Sequence, residues 1–162
     1  MRWLAKLLLL YAPGWLKARA CRDMSARFTA LAVKAAAGNS DSCAAALAGA
    51  AREAGAHAGE SLKRDLRLGG GFEDAELAWR IVCKFSGMTF RVERQPGRSV
   101  FNHIVCPLLE AGGRAVCEGF CVPFVEGFTE AVCPACSVSI VEEAAAPCPC
   151  KKALVEAGGA DA

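Results

Sequence analysis

Histidine is scarce in this chain. Of 162 residues two are histidine and one is tyrosine, and aromatic residues together make up 7%. Little imidazole is therefore on hand for acid–base or metal chemistry. Charge of one sign is also missing. The formal net charge is +2, whereas a generic nucleic-acid binder advertises a much stronger basic excess, so no nucleic-acid partner is expected. No stretch approaches the ~18–20 uninterrupted apolar residues needed to span a bilayer. Repeats, low-complexity tracts and interdomain linkers are absent as well. What is there is a 54% hydrophobic, 22% charged composition, enough to bury a core. Alanine makes up about a fifth of the residues, which points to substantial helix. The expected organisation is an amphipathic helix at 1–20 followed by a single domain at 21–162.

The N-terminus decides what compartment to expect. Arg2 and Lys6, the apolar run Leu7 to Ala12 and Ala18-Arg19-Ala20 have some features of an export signal. The run is short, however, and Pro13-Gly14-Trp15-Leu16-Lys17 breaks it before the would-be cleavage site. The better reading is a short helix with Leu4, Leu7, Leu8 and Tyr11 on one face. Residues 1–34 hold seven Lys or Arg against one Asp, leaving this end +6 and the remainder −4. Such a helix docks on its own domain or a dimer partner, or makes peripheral contact with an anionic membrane. The expected location is cytoplasmic, where thiols stay reduced and a crowd of them favours metal binding or reactivity over disulfides.

Periodicity orders the chain as helices first and strands later. Asp23 to Ala37 repeats at helical spacing up to Gly38-Asn39. Ser40-Asp41 offers an N-cap for a long second helix to about Leu66, whose small positions (Leu47, Ala51, Ala54, Ala58, Leu62) imply close helix packing. Gly69-Gly70-Gly71 is a stop. Glu73-Asp74 opens a third helix, with Leu77, Ile81 and Phe85 on one face, closed by Gly87. Met88, Phe90 and Val92 then alternate with polar residues as a half-buried strand. Gln95-Pro96-Gly97-Arg98 turns, and Val100 to Val105 returns as a second strand. Residues 107–132 read as mostly helical, Ser137 to Glu143 alternates again, and Lys151 to Val155 pairs back. The expected fold class is α+β: an N-terminal helical layer packed on a small antiparallel sheet of two hairpins, with an intervening helix.

Cysteine is the informative residue. Cys21, Cys43 and Cys83 are scattered through helical patterns and read as small core residues. The other seven crowd into the last 57 residues: Cys106-Pro107, Cys117-x-x-x-Cys121, Cys133-Pro134-Ala135-Cys136 and Cys148-Pro149-Cys150. C-x-x-C and C-x-C each place two thiolates on one tight turn, so both sulfurs can converge on one ion ~2.3 Å away. Cys117 and Cys121 share a face if their segment is helical. Zinc suits such a thiolate set, and an iron–sulfur cluster or another soft metal accepts the same ligands. The candidate metal ligands are Cys117, Cys121, Cys133, Cys136, Cys148 and Cys150, with Glu142 added by the resemblance described next.

From about Phe90 to Leu154 the chain resembles the superfamily of the 4-vinyl-reductase-type domain and the L-2-amino-thiazoline-4-carboxylic acid hydrolase-like proteins. The carriers are Val105-Cys106-Pro107-Leu108, the segment Cys117 to Phe128, Val138 to Glu143, and the late Cys148 and Cys150. The 4-vinyl-reductase side of the resemblance implies a homodimer, a small hydrophobic ligand between helices and sheet, and zinc. Its ligands would be Cys121, Glu142 or Glu143, and Cys148 with Cys150. One departure stands out: the family's middle cysteine follows the glutamate by three residues, where Ala145 or Ala146 stands here. The family's glycine-rich turn is also replaced, by Ala-Ala-Pro-Cys-Pro-Cys.

The hydrolase side implies opening of a thiazoline or similar ring. That chemistry needs an activated nucleophile, either a thiolate at Cys106 or a water polarised by a Cys-bound metal. Glu118 or Glu126 would serve as general acid or base. His103 pairs with Cys106 only if the strand ends or bulges between them, because on a straight strand they face opposite ways. His57 reads as an ordinary helix residue. Phe120, Phe124 and Phe128 recur every four residues as a helix core stripe or the wall of a ligand pocket. Three readings follow: a small-molecule hydrolase using Cys106 or a bound metal, a non-catalytic module binding zinc and a hydrophobic ligand, and a thiol-rich handler of soft metals.

Overall fold

The computed structural model describes residues 43–106, 117–142 and 150–158, with the side chains of Ala44, Glu118 and Glu142 outside that description. The expected helices at 1–20 and 23–37 lie outside the described residues. Within them the order is α1 (Cys43–Leu66), α2 (Phe72–Phe85), β1 (Thr89–Gln95), β2 (Arg98–Val105), a π-helical turn (Cys117–Cys121) running into α3 (Val122–Val132), β3 (Cys136–Glu142) and β4 (Lys151–Glu156). The class is α+β: helices against one four-stranded antiparallel sheet in the order β1-β2-β4-β3. No helix among the described residues is long and apolar enough to cross a membrane.

Small residues set how close the helices come. A Cβ on Gly55 of α1 would run into the carbonyl of Phe124, and one on Gly127 of α3 into the carbonyl of Arg52. The two backbones are therefore in near contact, and the small-residue pattern of α1 is the cause. Across that seam Arg52 reaches Glu126 at 2.9 Å and Glu130 at 2.7 Å in exposed ion pairs.

The two helix ends stop by the same device with different residues. After α2, Met88 N–H bonds to the Cys83 carbonyl at 2.9 Å and Gly87 takes φ +74°. After α1, Leu68 N–H bonds to the Lys63 carbonyl at 2.9 Å, and the left-handed position falls on Arg67 at φ +52°. The helix thus ends at Leu66, where the sequence pattern put it, with Arg67 rather than one of the three following glycines in the left-handed position. Those glycines instead hand over to α2: Asp74 accepts from the amides of Gly69 (2.7 Å) and Gly70 (3.2 Å).

The core joins all layers. Trp79 of α2 packs on Phe101 of β2 with ring centroids 4.9 Å apart. Its indole N–H donates to Thr129 Oγ1 of α3 at 2.7 Å, and that hydroxyl donates on to the Val125 carbonyl. Glu76, buried on α2, takes Ser99 Oγ at 2.7 Å and the guanidinium groups of Arg80 and Arg94. Burial pulls its pKa up, but Arg94, Ser99 and Arg80 together outweigh burial and hold it below the usual value. This network pins α2 to the first hairpin.

Two bulges lie at one end of the sheet. Thr89 pairs Val105 while Phe90 pairs His103, leaving Ile104 extra in β2; Ile140 pairs Lys152 while Glu142 pairs Lys151, leaving Val141 extra in β3. Bulges re-aim side chains where they occur. The extra residues face out, with Ile104 49% and Val141 44% exposed.

A candidate thiolate site at the bulged end of the sheet

Beneath those bulges the fold gathers side chains from five segments. Cys83 comes from the last turn of α2, His103 from β2, and Cys106 from the residue after it. Cys117 and Cys121 open and close the π-helical turn, and Cys150 and Lys152 stand at the start of β4. All seven are buried, none more than 8% exposed. Strand alternation places Lys152 beside Cys150, two residues apart on one face, and the π turn gives Cys117 and Cys121 a shared side.

The polar contacts form a chain. Lys152 Nζ lies 3.0 Å from Cys150 Sγ and 3.7 Å from Cys117 Sγ. The Cys150 thiol is hydrogen-bonded to Cys117, and the Cys117 thiol to Cys121. His103 closes the group, with Nδ1 3.6 Å from Cys150 Sγ and 3.3 Å from the Cys150 carbonyl, and Nε2 3.6 Å from Cys83 Sγ. Burial lowers the Lys152 pKa, but the neighbouring sulfurs of Cys121, Cys150 and Cys117 outweigh it and raise the pKa instead.

Donor and acceptor roles sort the thiols. The hydrogen bond received from Cys117 lowers the Cys121 pKa against the pull of burial, with Lys152 helping. Cys117 is raised because it donates to Cys121, and Cys150 is raised because it donates to Cys117. Cys83 is pushed up to about 12 by burial. Cys121 is thus the end of the relay and the place where negative charge collects. It is the residue at which the π turn runs into α3, itself in helical conformation (φ −64°, ψ −42°).

Cys121 opens on a cavity of about 50 Å³, lined by Trp79, Val82, Met88, Phe120, Phe124 and Val125 with Cys83, His103 and Lys152. A space of that order holds a group of a few heavy atoms or a few waters. The phenylalanine stripe therefore serves twice: Phe120 and Phe124 face the cavity, while Phe128 stacks beneath Phe124 in the core, 6.3 Å between centroids.

The sequence candidates divide. Cys106, Cys117, Cys121 and Cys150 come to this site. Cys106 is near enough to act electrostatically on Cys83 and Cys121, but Cys121, not Cys106, lines the cavity. His103 finds Cys150 and Cys83 as partners; the bulge at Ile104 turns the chain inward as a dyad with Cys106 would have required. Glu118 belongs to the π turn, and the side chains of Glu118 and Glu142 lie outside the description, as does all of Cys148. Glu142 pairs with Lys151 through the backbone, next to Cys150. Glu126 faces out to Arg52, away from the site, and His57 is exposed beside Glu53 and Glu60.

Cys133 and Cys136 correct the pooled metal set. They stand at the other end of α3, with Cys133 about 18 Å of helix from Cys121, and Cys136 pairs with Glu156, about 20 Å of strand from Cys150. No single ion ~2.3 Å from each sulfur joins the two groups. Among the described residues no group of three or more His, Cys, Asp or Glu is arranged to hold a metal ion.

Sequence reasoning missed Lys152 and took Cys83 for plain core. The signal for Lys152 was present: Cys150, Lys152 and Leu154 alternate onto one face, so the lysine had to enter the core beside a thiol. The chain matches no family model, no curated protein and no solved structure.

Proposed function

We propose that the protein acts on a small electrophilic molecule through a Cys121 thiolate. This keeps the hydrolase-like reading of the sequence and moves its nucleophile from Cys106 to Cys121. The observation that carries it is the relay Lys152–Cys150–Cys117–Cys121, which ends on a sulfur in the wall of an apolar cavity. The thiolate would bond to an electrophilic ring carbon, such as the C=N carbon of a thiazoline. The displaced electron pair goes to the ring nitrogen, which takes the proton of Cys117 passed along the relay. The adduct then collapses: the ring C–S bond breaks with its electron pair left on the ring sulfur, and the carbon stays on Cys121 as a thioimidate. Water adds to that carbon, the C–S bond to Cys121 breaks to restore its thiolate, and the two protons of the water go to the released ring sulfur and back to Cys117. Lys152 holds the negative charge in place through the cycle, and the apolar wall keeps bulk water from competing.

A second reading has one observation in its favour. Cys117, Cys121 and Cys150 are buried in one cluster, and thiolates are the ligands zinc or another soft metal takes, although their sulfurs are not arranged around an ion here. In that case Lys152 would be the counter-charge to an anionic thiolate set.

One experiment separates them. Protein purified without oxygen is incubated with a thiazoline carboxylate, and both intact mass and metal content are measured. A covalent adduct or ring-opened product that Cys121→Ala abolishes, and Cys106→Ala leaves, supports the thiolate reading. One equivalent of metal, released by a chelator with three thiols freed, supports the second. Turnover lost in Cys106→Ala and kept in Cys121→Ala would overturn the assignment to Cys121.

A further inference from the structure

The C-x-x-C pair at the far end of α3 takes no part in the relay. We propose that Cys133 and Cys136 are a redox modification site, a dithiol that closes to an intramolecular disulfide by exchange with a small disulfide of the glutathione type. This goes beyond the Cys121 reading and does not depend on it.

The backbone is set for closure. Cys133 caps α3, Pro134 and Ala135 form the turn, and Cys136 N–H donates to the Cys133 carbonyl at 3.0 Å as β3 begins. A turn of this kind keeps its first and fourth Cα within about 7 Å, in the range a disulfide bridges. The two Sγ atoms are 2.7 Å apart, closer than sulfurs rest when unbonded. Both flanks are tied down: Cys133 N–H to the Thr129 carbonyl at 2.8 Å, and Ala157 N–H to the Ala135 carbonyl at 2.7 Å. Little freedom remains to be lost when the bond forms, which raises the effective concentration of one thiol at the other. Both sulfurs belong to the apolar core, while Pro134 and Ala135 are exposed, so an incoming disulfide reaches them by displacing that short turn.

The exchange balances in two steps. The Cys133 thiolate bonds to one sulfur of the external disulfide and expels the other half as a thiolate. Cys136 then attacks the Cys133 sulfur of the mixed disulfide and expels the second half. Two protein thiols are oxidised, one external disulfide is reduced to two thiols, and the two protons pass to the leaving thiolates. Burial pushes Cys136 up to about 12, with Cys133 and Glu156 adding to it. Cys136 is therefore the second thiol to react, and as a poor leaving group it makes the closed bond slow to reopen.

The test equilibrates the full, reduced chain with graded ratios of reduced to oxidised glutathione under anaerobic conditions. Samples are acid-quenched, alkylated and mapped by mass spectrometry. The fragment holding Cys133 and Cys136 should lose both alkylation sites together and become two hydrogens lighter. It should do so at a ratio at least about tenfold more reducing than any other cysteine pair needs. In Cys136→Ser, Cys133 should carry glutathione instead. The proposal is overturned if both thiols stay alkylatable at ratios that oxidise Cys117, Cys121 or Cys150, or if Cys133 bridges to a cysteine other than Cys136. The native map decides even if the variant fails to fold.

Discussion

The two ends of α3 carry the same residue in opposite surroundings. At its start Cys121 receives a hydrogen bond from Cys117 and lies near the Lys152 ammonium, and its pKa is lowered against the pull of burial. At its end Cys136 is driven up to about 12 by burial first, with Cys133 and the Glu156 carboxylate adding to it. Both groups are buried and both are reduced thiols in the structure. Burial raises both; at Cys121 the hydrogen bond from Cys117 and the Lys152 charge reverse it, while at Cys136 the neighbours add to it. Linkage gives a further contrast. A thiolate whose pKa falls on folding contributes stability above the ordinary cysteine range and loses it as pH drops through the folded value. A thiol whose pKa rises, like Cys136, costs stability at high pH instead.

The largest perturbation acts on the element that carries both groups. Gly127→Ala drives a methyl into the Arg52 carbonyl, and overpacking of this kind costs roughly 2–3 kcal/mol. Thermal unfolding should show it, with the reactivity of both thiol groups altered together. An unchanged melting temperature would contradict the close seam of α1 and α3. Next, Lys152→Met removes the buried cation at one end only. Alkylation of Cys121 at neutral pH should slow on the order of 30-fold, while the glutathione midpoint of Cys133–Cys136 stays put. Equal shifts at both ends would erase the distinction. Cys117→Ala deletes the donor and should slow Cys121 about tenfold at neutral pH, its pH profile moving to more alkaline pH; no shift would sink the relay. The smallest effect is at the far end. Glu156→Gln withdraws a weak repulsion, so Cys136 should react about twofold faster at alkaline pH, read by the same mapping, with Cys121 unaffected.

Much of the architecture was legible in the sequence because periodicity reports it directly. The small residues of α1, the alternation of β1, the turn at Pro96-Gly97 and the return of β4 all appear where the pattern put them. The end of α1 at Leu66 was legible too, although Arg67, not a glycine, takes the left-handed position after it. The site was harder for a physical reason. Spacing groups cysteines by distance along the chain, so Cys133-x-x-Cys136 and Cys148-x-Cys150 looked like halves of one centre. Topology groups them otherwise. By lying between β2 and β3, β4 brings Cys150 to the π turn and His103, and leaves Cys133 and Cys136 at the opposite edge. That strand order is fixed by packing and has no local signature. Lys152 escaped notice because a lysine in a strand is usually solvated, and only its place beside Cys150 on an inward face marked it as buried.

The most direct test of the account is the pH profile of site-resolved alkylation on the reduced native protein, following Cys121 and Cys136 in the same sample. The account predicts a midpoint for Cys121 below the ordinary cysteine range and no comparable reaction at Cys136 until far more alkaline pH. A shared midpoint, or Cys106 or Cys136 reacting ahead of Cys121, would contradict it.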